Sequence, residues 1–146
     1  QAAGFVVDAK EGRGQEGAKN AIQRHLDDGT LPDTVVIQVG TNGPVSKETY
    51  ERIMSFLPPE EVPTVRFLTV HAPGMSYIAD NNTLIWSLKW TYSNVDILDW
   101  DGLVTSGSIP GLASDGIHLR SAAAKQTYAN LVFQVVGLLD ERQTVP

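Results

Sequence analysis

The chain has 146 residues and a mass of 15.8 kDa, one domain's worth. Its 11 Lys and Arg against 17 Asp and Glu give a net charge of −6, which excludes the basic footprint of a nucleic-acid binder and a surface drawn to anionic lipid. Hydrophobic residues at 42% suffice for a core, no apolar run reaches the ~18 residues of a membrane span, and the lack of cysteine excludes a disulfide scaffold, a thiolate metal site and a cysteine nucleophile.

The chain opens on Gln1-Ala2-Ala3-Gly4, without Met or a charged-then-apolar leader, and reads as a single domain, residues 1–146, cut from something longer. The β-rich run at residues 4–9 predicts a strand. Ala18, Ala21, Ile22 and Leu26 are spaced for a helix over 15–28, which Asp27-Asp28-Gly29 stops. Thr34-Val35-Val36-Ile37-Gln38-Val39 is the clearest strand, nearly all apolar, as a strand covered on both faces should be. Ser46 can cap a helix over 47–57, with Tyr50, Ile53, Met54 and Leu57 on its inner face. A strand over 64–70, a loop over 71–80, a helix over 81–93 and a strand over 94–99 follow. A Gly- and Ser-bearing loop over 100–114 and a helix over 121–139 complete the series. Strands alternating with helices at this spacing predict an α/β fold with a parallel sheet and right-handed crossovers.

Three stretches can carry chemistry, and each has a plainer reading. Gly12-Arg13-Gly14-Gln15-Glu16-Gly17 matches the dinucleotide fingerprint, but the carboxylate needed about 20 residues on is missing from Val36-Ile37-Gln38-Val39. A strand-to-helix turn explains it better, and such a turn presents backbone N–H groups that suit an oxyanion. Gly40-Thr41-Asn42-Gly43 ends the strongest strand, at the sheet edge where open α/β folds bind ligands. There Asn42 is either an amide donor in a crevice or half of an ordinary Asn-Gly turn. Asp115-Gly116-Ile117-His118 precedes the last helix. An Asp three residues before a His can hold one ring nitrogen and leave the other as a base, or simply cap the helix. His25 reads as solvated on a polar helix face, and His71 ends a strand where it could line the crevice, with no assignable role. Three scattered histidines give no metal-ligand spacing.

In this order the blocks resemble the SGNH hydrolase superfamily, and more narrowly the extracytoplasmic SGNH domain fused to acyltransferase-3 membrane proteins, the peptidoglycan O-acetyltransferase type. The matching stretches are Val7-Asp8-Ala9 to Gly12-Arg13, Val35-Val36-Ile37-Gln38-Val39-Gly40-Thr41-Asn42-Gly43, Asn94-Val95 with Leu98-Asp99-Trp100, and Asp115-Gly116-Ile117-His118-Leu119. Together they run over nearly the whole chain.

The resemblance implies a three-layer α/β/α, flavodoxin-like fold and a Ser-His-Asp triad that needs no cofactor. His118 is then the catalytic base and Asp115 the carboxylate that orients it. Asn42 is the side-chain donor of the oxyanion hole, and Gly12 or Gly14 a backbone donor. The partners implied are an acyl donor, a glycan acceptor and an acyltransferase-3 membrane domain, at the cell surface or periplasmic side.

The family's nucleophile, a Ser in a Gly-Asp-Ser block, has no counterpart. Ser46, Ser55, Ser76, Ser87, Ser93, Ser106, Ser108, Ser114 and Ser121 all lack that context. The nucleophile and the first strand are therefore expected upstream of Gln1 or on a separate N-terminal fragment, the strand lying between the one at 4–9 and the one at 34–39. The leading function is acetyl transfer to a cell-envelope glycan such as peptidoglycan. The alternatives are a carbohydrate acetylesterase and a non-catalytic glycan-binding fragment.

Overall fold

A computed structural model describes residues 6–135. Three parallel strands, β1 (Thr34–Ile37), β2 (Thr64–Leu68) and β3 (Val95–Leu98), form one sheet in that order. Thr34 pairs with Thr64, and Val65 with Val95. Around them lie α1 (Gln15–Asp27), α2 (Lys47–Ser55), α3 (Ile78–Thr91), α4 (Trp100–Thr105) and α5 (Ala122–Val135). The fold is α/β with helices on both sheet faces, as the spacing of elements predicts.

The period-2 alternation of a strand divides the core. Val35, Ile37, Val65, Phe67, Val95 and Ile97 face α1, α2 and α3, meeting Ala18, Ile22, Tyr50, Ile53, Ile85 and Leu88. Val36, Leu68 and Leu98 face the other way, toward Trp100, Leu103, Tyr128, Leu131 and Val132 of α4 and α5. Tyr50 stands edge-on to Phe67 at 5.4 Å between ring centres, and Trp100 edge-on to Tyr128 at 5.1 Å. The Tyr50 hydroxyl is buried and has no hydrogen-bond partner among the described residues, and burial pushes its pKa up.

Local chemistry sets the helix ends. The Ser46 hydroxyl accepts from the Thr49 N–H at 3.2 Å and caps α2. Gln15 of α1 bonds both backbone groups of Ser46, at 2.8 and 2.7 Å, and so ties the starts of α1 and α2 together. The first helical residue of α3 is Ile78 rather than residue 81, and its first turn holds Asp80, which favours a helix start.

Two expectations are corrected. A helix, α4, stands inside the expected loop at 100–114. The Asp99 carboxylate accepts from the Gly102 N–H at 3.1 Å and starts this turn of helix. A Cβ at Gly102 would lie 2.3 Å from that carboxylate, so the glycine that argued for a loop is what admits the cap. Second, residues 6–9 are not a strand. Val6 and Val7 are 77% and 69% exposed, and no strand pairs with them, so their β propensity has nothing to act on. Residues 4, 5 and 136–139 of the expected elements lie outside the described residues. Among the described residues β1 is an edge strand, and no helix is long and apolar enough to cross a membrane.

Candidate active site

The loops that follow the strands carry three groups of polar side chains. The first is the turn after β1. Asn81 of α3, buried, donates from Nδ2 to the carbonyls of Gly40 and Gly43 at 2.8 and 2.9 Å. Its Oδ1 accepts from the Val45 N–H at 3.0 Å. The Tyr77 hydroxyl donates to the Thr41 carbonyl at 2.9 Å. Four bonds from one helix end thus hold the backbone on both sides of Asn42. The Asn42 side chain itself is exposed and bonds to nothing among the described residues, so its amide is available as a donor.

The second group is the 115–118 turn. Asp115 Oδ1 accepts the backbone N–H groups of Ile117 and His118 at 2.9 and 3.0 Å. Its Oδ2 meets His118 Nδ1 at 2.9 Å, the contact that the three-residue spacing allows. These two N–H groups, then the imidazole, hold the Asp115 carboxyl well below the usual carboxylate range. The anion favours the proton on Nδ1, and among the described residues His118 Nε2 has no partner, as a base requires. His118 is 65% exposed. Gly116, at φ +71, makes the turn possible. A Cβ there would meet Pro73 Cγ at 3.0 Å and stand 3.8 Å from His71 Nε2. The turn therefore lies directly against the chain leaving β2, the neighbour of the strand that leads to Asn42.

A second His–Asp pair lies beneath it. His71 Nδ1 is 2.6 Å from Asp101 Oδ1. Sequence reasoning left His71 without a role because Asp101 is 30 residues away, in the segment read as a loop. Only the α4 turn brings the two together.

Gly12 and Gly14 belong to the irregular segment that precedes α1. Gly14 is the N-cap of α1. The segment before it is pinned by Asp8, which Arg13, Arg24 and His25 surround. His25 also bonds Thr30, so it is engaged rather than merely solvated. Because residues 6–9 are no strand, the strand–turn–helix context of a dinucleotide site is not formed. A cavity of about 600 Å³ separates this segment from β1. Val7, Arg13, Val36, Gln38, Asn42 and Tyr128 are among its walls. His118 is not one of its lining residues, and no hydrogen bond links it to Asn42 or to either glycine.

None of the serines bonds either histidine. Ser46 and Ser121 cap helices, and Ser55, Ser87 and Ser106 bond carbonyls of their own helices. Asn81 is the site residue that sequence reasoning missed. Nothing in the sequence separates Asn81 and Asn82 from the other polar residues of α3, such as Asp80 and Thr83, and only the fold shows that these two are buried. The chain matches no protein-family model and no curated protein.

Proposed function

We propose that this chain is most of a serine acyl-transfer domain of the SGNH type, an O-acetyltransferase of a cell-envelope glycan such as peptidoglycan. The observation that carries the reading is the Asp115–His118 pair, with its carboxylate clamped by two backbone N–H groups and Nε2 open. A binding module has no need of an imidazole oriented in this way.

In the reaction a serine Oγ attacks the acyl carbonyl while His118 Nε2 takes its proton. The Asn42 amide and backbone N–H groups near Gly12 or Gly14 stabilise the oxyanion. The alkoxide leaving group departs with the proton from Nε2. An acceptor hydroxyl then gives its proton to Nε2 and attacks the acyl-serine, and collapse breaks the bond to Oγ, which takes that proton back from Nε2. Water in place of the sugar gives a carbohydrate acetylesterase by the same steps.

The serine belongs to a segment outside this sequence, upstream of Gln1 or on a separate fragment. Among the described residues the outer edge of β1 is unpaired, and with the cavity beside it this edge offers room for one extended strand. The extracytoplasmic setting and the acyltransferase-3 partner are part of the same proposal. The lack of any serine on His118 favours a second reading, a non-catalytic glycan-binding fragment.

Turnover of a chromogenic acetyl ester, with and without the upstream segment, separates these readings. Turnover that needs both His118 and the segment is expected. Turnover that survives His118→Ala overturns the mechanism. Turnover that depends on His118 without the segment makes one of the present serines the nucleophile. No turnover in either form, with saccharide binding retained, favours the binding fragment.

A further inference from the structure

We infer that His71 Nε2 accepts from a non-attacking hydroxyl of the acyl acceptor, one next to the hydroxyl that reacts, which makes the His71–Asp101 pair an acceptor subsite beside the His118 base; this rests on the acyl-transfer reading.

The ring is fixed from several directions. The Val70 N–H donates to Asn82 Oδ1 at 2.8 Å, and its carbonyl accepts from Asn82 Nδ2 at 2.9 Å, so the backbone next to His71 cannot shift. Asp101 holds Nδ1 at 2.6 Å. Asp101 is itself held, because its N–H donates to Thr69 Oγ1 at 2.8 Å and that hydroxyl donates to Asp99 at 2.9 Å. Residues of β2, α3 and α4 thus orient one imidazole.

All that alignment leaves Nε2 free. No described residue bonds it, and it is not a sealed orphan, since the side chain keeps 19% of its surface open. With Nδ1–H donated to a carboxylate, Nε2 of the neutral ring is an acceptor, and a hydroxyl is its natural donor. Its place is the carboxyl edge of the sheet, under the turn that carries His118, where a Cβ on Gly116 would be 3.8 Å away. A sugar held at His71 by one hydroxyl thereby keeps the neighbouring hydroxyl near the base that must deprotonate it. Such holding favours transfer over hydrolysis, because water is bound less well by a single acceptor.

The test uses the chain assembled with its serine-bearing segment, a chromogenic acetyl ester as donor and an N-acetylglucosamine oligomer as acceptor. Acetylated oligomer is read by mass spectrometry and total ester cleavage by absorbance. His71→Asn keeps the bond to Asp101 but has no atom at the Nε2 position. It should lower the transfer-to-hydrolysis ratio about tenfold and raise the acceptor KM by a similar factor, the size of one lost hydrogen bond. His71→Gln, which places an amide near that position, should recover part of both. An unchanged ratio in His71→Asn, or equal loss of transfer and hydrolysis, overturns the subsite. A second readout does not need turnover. The imidazole signals of wild-type His71 should move on adding the oligomer, and their failure to move also overturns it. If His118→Ala leaves ester cleavage intact while His71 still senses the oligomer, the acyl-transfer mechanism fails and the saccharide contact stands.

Discussion

Asp115 shows how one carboxylate can do two jobs. One oxygen closes the turn on two N–H groups and the other aims an imidazole. Asp115→Asn should keep the turn, since an amide oxygen still accepts, but its NH2 would face Nδ1 and impose the wrong tautomer. A loss of up to about 10⁴ in kcat on the acetyl ester, with an unchanged circular dichroism spectrum, is expected. Asn42→Ala removes a donor whose backbone stays clamped by Asn81, so kcat should fall about 10²- to 10³-fold with little change in KM. Gly116→Ala combines a left-handed backbone with a clash against Pro73. It should cost about 1–2 kcal/mol in urea unfolding and lower kcat as His118 is displaced. Tyr50→Phe runs the other way. It deletes a buried hydroxyl without a partner and should raise stability by about 1 kcal/mol.

At the scale of elements, the three strands were legible because parallel strands covered on both faces are continuously apolar, and Thr34 to Val39 has that pattern. The first three helices were legible from their apolar spacing and, for α2, the Ser46 cap. Two things were not. α4 depends on a carboxylate folding over a glycine, which composition reads as a loop. Residues 6–9 have strand-forming side chains and no strand beside them, and propensity cannot supply a neighbour. The Asp115–His118 pair was readable because its members are three residues apart. The His71–Asp101 pair was hidden because its members are 30 apart and meet only through tertiary structure.

The whole molecule has an acid and an alkaline limit. Arg13, with His25 and Arg24, lowers the Asp8 pKa from 3.8, and backbone N–H groups lower that of Asp115. In each case the unfolded chain takes the proton first. Their stabilisation is complete above about pH 4 and is lost as pH falls through the lowered folded values. Tyr128 is the reverse case. Burial pushes its hydroxyl from 10.0 to about 12, so its contribution is complete below pH 10 and disappears as pH rises toward 12. Urea midpoints across pH should show both slopes, and Tyr128→Phe should flatten the alkaline one. Among the described residues the outer edge of β1 has no partner strand, so this chain is expected to self-associate as its concentration rises, as read by light scattering.

The Asn81-Asn82 pair has a consequence for which insertions the chain can absorb. Successive helical residues point about 100° apart, so these two reach different loops, Asn81 the one around Asn42 and Asn82 the strand end before His71. Both are set by the buried face of the same helix, through Ile85 and Leu88. One residue added after Asn82 would turn the pair away from both loops at once, whatever that residue is. The exposed stretch 73–76, only a few positions earlier, is under no such constraint. Length variation in this protein should therefore be accepted before α3 and refused within its first two turns.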